Sequence, residues 1–347
     1  MPKRAPSLLS TSLLSAVLAL SAPALARAAE EREAWTPTAT ALRADAAGIA
    51  LPQTVAGLSL SKSGEVSHGG SGIDNYAQYL SDDGAIQATL YIYMPSYADA
   101  SLAAYMTDKA IMARFGSRTH RTAYASVAAA GHANGALRAV YDDAADGALT
   151  TAAAFVHAGR WMVKLRVTGP TERRTEVLAG LDGMLSGLRF DDASSIHATR
   201  PATFASCPAA DGIDARMTGP AAATPVDIAM PREGSAPLCI RGRVDTANGN
   251  YEMLRQAGVK DGATIVPVDD AGTVLAFDPA KTGAGYQLSI HSVGQTDIFG
   301  IYDKVPSARQ IAEILDGKDP QTARAGAVVA FAANGEVTLR NGDGKSR

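Results

Sequence analysis

Apolar and polar residues alternate with a period of two along much of the chain. The clearest run is Trp161 to Thr168, where Trp161, Val163, Leu165 and Val167 alternate with Met162, Lys164, Arg166 and Thr168. This is the pattern of a strand with one buried face. Shorter strand-like runs cover Val55–Leu60, Tyr76–Leu80, Ala85–Met94, Arg121–Ala129, Ala136–Tyr141 and Ala148–His157. Ser81-Asp82-Asp83-Gly84 has turn composition and predicts a hairpin between the second and third of these. A helix is predicted over Ala98–Phe115, with Ser96-x-x-Asp99 in capping-box order at its start and Gly116 at the C-terminal cap position. A second helix opens at Pro170-Thr171 and runs through Leu185, with Thr171 as its cap and Glu172 complementing the helix dipole.

Strands and helices in this order, joined by short turns, predict an antiparallel sheet with helices packed on it, an α+β domain over residues 51–190. The stretch 29–50 is Ala-rich with little periodicity beyond a short helix around Thr40–Ala46, and reads as a leader segment. Residues 191–237 carry six prolines, from Pro201 to Pro237, and read as a linker. Beyond it, Leu238–Val244, Ala263–Val268, Thr273–Phe277, Tyr286–Ser292 and Thr296–Asp303 predict strands, with Asp269-Asp270-Ala271-Gly272 as a turn. Pro306–Leu315 predicts a short helix with Ser307-x-x-Gln310 in capping-box order and Gly317 as its stop. Asn334-Gly335 between Ala327–Ala332 and Glu336–Arg340 is the strongest hairpin signal in the chain. Residues 238–341 thus form a second, strand-rich domain with one short helix, followed by a flexible tail over 342–347.

Three stretches carry a family resemblance: Leu51-Pro52-Gln53-Thr54-Val55-Ala56-Gly57-Leu58, Tyr91-Ile92-Tyr93-Met94-Pro95, and Gly159-Arg160-Trp161-Met162-Val163-Lys164-Leu165-Arg166. Together they resemble the PsbP/Mog1-like modules of secreted bacterial proteins. The resemblance covers residues 51–190 and implies a curved antiparallel sheet between helices and a mostly non-enzymatic accessory role. It supplies no catalytic residues.

The amino terminus carries an address. Lys3 and Arg4 precede an apolar stretch from Leu8 to Leu20, and Pro23-Ala24-Leu25-Ala26 and Ala26-Arg27-Ala28 offer small residues two apart. This is the order of a secretory signal peptide over residues 1–28, cleaved near Ala26 or Ala28. Cleavage after Ala28 removes Lys3, Arg4 and Arg27 and takes the formal charge from -3 to -6. No later apolar run has spanning length, so the mature chain is expected to be soluble in a periplasmic or extracellular space. With 46% hydrophobic and 19% charged residues the chain is neither disordered nor a disulfide scaffold. Its charge offers no general attraction to nucleic acid or anionic lipid. In an oxidising compartment its two cysteines, Cys207 and Cys239, predict one disulfide.

Concentrated chemistry is sparse. His68, His120, His132, His157, His197 and His291 show no metal-ligand spacing, so neither metal nor cofactor is expected. His68-Gly69-Gly70-Ser71-Gly72-Ile73-Asp74 collects His, Ser and Asp in one glycine-rich loop, which lacks the separate rigid supports of a catalytic triad. Ser59-x-x-Lys62 lacks the partner motifs of penicillin-recognising enzymes. Alternation places Leu90, Ile92 and Met94 with Trp161, Val163, Leu165 and Val167 on a core face. Tyr91, Tyr93, Lys164 and Arg166 then share the opposite face, a candidate recognition surface of amphipathic aromatics beside cations. These readings point to a non-enzymatic binding or accessory protein of the bacterial cell envelope, with an envelope protein or small ligand as partner. The alternative is a secreted hydrolase whose His, Ser and Asp meet at an interdomain groove.

Overall fold

In the computed structural model, residues 34–66, 71–208, 213–220, 232–233, 237–281 and 284–342 are described. The expected signal segment, His68, much of the proline-rich stretch 209–236 and residues 343–347 lie outside them. Residues Arg32–Arg347 make one compact unit.

Strands β1 (Trp35–Pro37), β2 (Ala41–Ala44) and β3 (Ile49–Pro52) form an antiparallel meander. The helix expected at 40–46 is therefore a strand. Leu42, Ala44, Ile49 and Leu51 are all buried against the main core, and Trp35 Nε1 donates to the Gly64 carbonyl at 2.9 Å. Burial of every second residue outweighs the helix propensity of alanine, which is worth only a few tenths of a kcal/mol, of order 0.5, per residue.

The first large sheet begins with β4 (Thr54–Val55), β5 (Leu58–Glu65), β6 (Asp74–Leu80) and β7 (Gln87–Tyr93). The chain passes through the two-residue β8 (Tyr97–Ala98) and α1 (Ala100–Phe115) to the far edge. It returns by β9 (His120–Ala129), β10 (His132–Ala144), β11 (Leu149–Ala158) and β12 (Trp161–Pro170), so that β12 lies beside β7. All neighbours in this sheet are antiparallel. Then α2 (Arg174–Gly187) leads into β13 (Arg189–Phe190), which pairs with β3.

Each face of this sheet is covered by one helix. Leu90, Ile92, Met94, Trp161, Val163, Leu165 and Val167 share a core with Val177, Leu181, Met184 and Leu185 of α2, as the alternation predicts. On the other face Tyr93, Met162, Phe155 and Tyr141 pack against Ala100, Ala104 and Ile111 of α1. With helices on both sides, β11 buries nearly every residue, which is why its sequence shows no polar alternation.

Beyond the short β14 (Met217–Gly219) and β15 (Arg232–Glu233), a second sheet runs in chain order: β16 (Leu238–Thr246), β17 (Gly249–Gln256), β18 (Thr264–Pro267), β19 (Val274–Pro279), β20 (Tyr286–Ser292), β21 (Gln295–Tyr302), β22 (Ala327–Phe331) and β23 (Val337–Asn341). The hairpins expected at Asp269–Gly272 and Asn334-Gly335 are present. So is the capping box of α3 (Ala308–Leu315), where Ser307 and Gln310 cap each other. Two cap expectations are corrected. Asp99, not Ser96, caps α1, accepting from Ser101 and Leu102 N–H at 2.8 and 3.0 Å. Thr171 donates to the Gly147 carbonyl instead of capping α2.

The class is corrected as well. Strands make up 50% and helices 17%; among the described residues there are three sheets of four or more strands, one parallel pair of β15 with β8, and three α-helices, so the fold is mostly β rather than a balanced α+β fold. The reason is visible in the elements. The expected leader helix is a strand meander, β9 to β12 run for ten or more residues each, and the second sheet carries one eight-residue helix.

Candidate functional site

Helix α1 touches both large sheets. Ala100, Ala104, Thr107 and Ile111 form one buried stripe at i, i+4, i+7 and i+11, with the three apolar members against the first sheet. Leu102 and Tyr105 point elsewhere and pack with Leu254, Ile265, Val274 and Ala276 of the second. The helix is thus a wedge. At its N-terminal end a groove of about 780 Å³ opens between Ala98–Ser101, His157 at the end of β11, the extended segment His197–Phe204, and Pro237–Leu238.

The extended wall is pinned along its length. Thr199 N–H and Oγ1 both donate to the Asn134 carbonyl, at 2.8 and 3.0 Å, and Ser126 Oγ donates to the Thr199 carbonyl at 2.7 Å. Ser101 Oγ donates to the Arg200 carbonyl at 3.1 Å. Further on, Cys207 N–H donates to the Ile240 carbonyl and Ile240 N–H to that of Ala205, at 2.7 and 2.8 Å. Cys207 and Cys239 are joined by a disulfide, as expected, with Cα atoms 5.1 Å apart. The bond fastens this wall to β16, next to the groove residues Phe204 and Leu238.

Inside the groove His157 and His197, 40 positions apart in sequence, stack with ring centroids 4.2 Å apart and planes within 10°. His157 is 6% exposed, His197 half-buried, and Arg200 exposed. Burial raises the Asp99 carboxyl above its ordinary range, while the Leu102 and Ser101 N–H groups act in the opposite sense. The groove therefore offers a flat imidazole pair, an acid on a helix terminus, a long cationic side chain on Arg200, and apolar edges at Phe204 and Leu238. This mixture suits holding a ligand by shape, stacking and hydrogen bonds.

Tyr91, Tyr93, Lys164 and Arg166 do share one face of the first sheet: Lys164 pairs with Tyr91 and Met162 with Tyr93 across β12 and β7. That face is largely covered. Tyr93 is 3% exposed, packed in the α1 core, and its hydroxyl is pushed up by burial and by Asp270, Asp269 and Asp74. Lys164 is 8% exposed and donates to both the carbonyl and Oδ2 of Asp270, at 2.9 Å each, with its ammonium 5.0 Å from the Tyr91 ring centre. Tyr91 and Arg166 are half-buried. Tyr93 and Lys164 thus join the first sheet to the β18–β19 turn of the second instead of meeting solvent.

The other chemical candidates are dispersed. Ser71 Oγ donates to Glu65 Oε1 at 3.0 Å, while His68 of the same loop lies outside the described residues. His291 Nε2 lies 3.0 Å from Ser289 Oγ and Nδ1 lies 3.1 Å from Thr296 Oγ1, with Tyr97 edge-on at 5.7 Å. Ser289, His291 and Thr296 are all buried, and none lines this groove. Among the described residues no group of three or more His, Cys, Asp or Glu could hold a metal ion. No helix among them is long and apolar enough to cross a membrane. Sequence reading missed the His157–His197 pair and Asp99, because their proximity depends on a wall pinned by contacts 65 to 73 residues apart. Comparison with protein-family models, with curated proteins and with solved structures gives no match for this chain.

Proposed function

We propose that the protein is a non-enzymatic binding or accessory protein of the bacterial cell envelope. Its signal-like residues 1–28 direct it to a periplasmic or extracellular space, and its PsbP/Mog1-like stretch serves as the scaffold for a ligand groove. The observation that carries this reading is the coupling of disulfide and groove. Cys207–Cys239 fastens the wall that holds His197 to Phe204 onto the strand that supplies Leu238. A wall fixed before binding loses less conformational entropy on binding, at about 0.5–1.5 kcal/mol per immobilised side chain. A disulfide also belongs to an oxidising compartment.

The test is site-specific crosslinking in the native compartment. A photoreactive residue at Ala198, exposed on the groove, should capture an envelope protein or small ligand. The same residue at Asp82, exposed in the β6–β7 turn, should not. His197→Ala should abolish capture at Ala198. Equal capture at both positions, or capture that His197→Ala leaves intact, overturns the groove as the binding site. Export is checked by fusing residues 1–28 to a reporter active only outside the cytoplasm, and an inactive fusion overturns that part.

A further inference from the structure

A sheet edge presents a row of N–H and C=O groups that can pair with another strand, and folds blunt such edges by keeping them short, charged or covered. Most edges of this fold are blunted in one of these ways. β1, β4, β13 and the β8–β15 pair are two or three residues long. β23 has five residues and carries the exposed Arg340. β16 is met by the segment 205–207, through the bonds from Cys207 N–H to the Ile240 carbonyl and from Ile240 N–H to that of Ala205, and α3 packs against it. β9 has none of these devices. It is the outermost strand of the first sheet, ten residues long, with β10 on one side. Among the described residues, no hydrogen bond to its backbone comes from outside β10. Ala125 and Ala128 are both exposed although they stand an odd number of positions apart, so the edge itself, and not one face, meets solvent. Residues 122–129 include no proline and no charge.

We propose that β9 is a homodimer interface, its edge pairing antiparallel with the same edge of a second copy about a two-fold axis near Ala125. The register with β10 is unbroken from Ala123 to Val127, between a shift at each end, and Ala125 is the middle of that stretch. In an antiparallel pair of identical strands each N–H meets a C=O of the other copy and the reverse, so the edge is complementary to itself. Charge favours this occupant. Arg121 donates to Asp108 Oδ1 at 3.3 Å, and Arg138, opposite Ala125 on β10, donates to Asp182 Oδ1 at 2.8 Å. The charges nearest the edge are thus paired within one copy, so a second copy brings no unpaired like charge, and a charged peptide would find no counter-charge. At about 3.4 Å per residue and a sheet thickness of about 10 Å, the edge covers roughly 340 Å² per copy. That is below the ~800 Å² per partner of a standard-size interface, so the dimer is weak and reversible. The interface uses no residue that lines the groove, so it stands or falls separately from the groove.

Light scattering of the full mature chain over about a hundredfold range of concentration tests it, and the mass should rise from one copy towards two. Ala125→Lys and Ala125→Asp each set like charges opposite one another across the axis, and each should weaken dimerisation by about tenfold or more. Mixed in equal amounts, the two variants should pair again. Asp82→Lys, exposed in the β6–β7 turn, should leave dimerisation unchanged. If either Ala125 variant fails to fold by circular dichroism, hydrogen exchange of the wild type decides. The amides of residues 123–127 should then exchange more slowly at high protein concentration than at low, and those of the β6–β7 turn equally at both. A mass of one copy at every concentration, dimerisation that Ala125→Lys leaves intact, a mixture that fails to pair, or exchange at residues 123–127 that ignores concentration overturns the interface. So does a photoreactive residue at Ala123 that crosslinks only a different protein, which would assign the edge to that partner.

Discussion

Replacing Lys164 by methionine should separate the first sheet from the β18–β19 turn. The methionine keeps most of the apolar stem that lies in the sheet but removes the ammonium. Two hydrogen bonds of 2.9 Å to Asp270 are lost, together with the contact over Tyr91. The Lys164 side chain is 10% exposed and that of Asp270 32%, so the pair is screened on one side only. Hydrogen bonds to a charged group contribute about 1.5–3 kcal/mol, and breaking a fully buried pair costs about 3–5 kcal/mol. Because Asp270 retains water, the lower part of this span applies, and Lys164→Met should cost about 2–3 kcal/mol. Asp74 gives an internal check. Its carboxyl is raised by burial and held back by Lys164, so removing the ammonium raises it further. The assay is a double-mutant cycle in urea with Asp270→Asn, read by intrinsic fluorescence and far-ultraviolet circular dichroism. A coupling energy of about 1.5 kcal/mol or more is expected. A coupling below about 0.5 kcal/mol, with both single variants near wild type, would refute a stabilising junction at this pair.

Cys207→Ala with Cys239→Ala should lower stability by about 3.7 kcal/mol, the loop-closure entropy for a separation of 32 residues, measured by urea denaturation without reductant. Two titratable thiols in the unreduced, denatured wild type would contradict the bond. Asp142 is held below the ordinary carboxylate range chiefly by hydrogen bonds from Arg174, with Thr122 and Thr150 adding to them. Its contribution, about 1–2 kcal/mol, should be full above about pH 4 and disappear as the pH falls through its lowered folded value. Asp142→Asn should thus be less stable than wild type at pH 6 and converge with it in acid; a gap that stays constant with pH excludes this linkage. Gly294 has φ of 67°, and a Cβ there would lie 2.2 Å from Ile73 Cδ1, where its N–H meets the Met94 carbonyl and its own carbonyl meets Phe331 N–H. Gly294→Ala should cost about 1–3 kcal/mol by thermal denaturation, and an unchanged midpoint would show that the junction yields freely.

What the sequence by itself determined is local. Turn chemistry at Ser81–Gly84, Asp269–Gly272 and Asn334-Gly335 set three hairpins, and Ser307 with Gln310 set a helix start. Alternation from Trp161 to Thr168 sorted β12 into its two faces, and a chain with two cysteines left one pairing to make. Each of these depends on dihedral preferences and contacts within a few residues, or on a choice with one option.

Tertiary structure decided the rest. Thr40–Ala46 reads as helix in isolation, yet the chance to bury Leu42 and Ala44 on a waiting core makes Ala41–Ala44 a strand. The alternation placed Lys164 and Tyr93 on the right face, but only the second sheet determined that the β18–β19 turn would cover it. His157 and His197, scattered in sequence, become a stacked pair through an extended wall whose anchors lie far along the chain. A net charge of -3 says nothing about Lys164 and Asp270, 106 positions apart in sequence and drawn together in the fold. Total charge sums over positions without regard to place, whereas electrostatic energy falls with distance, and distance is set by long-range register.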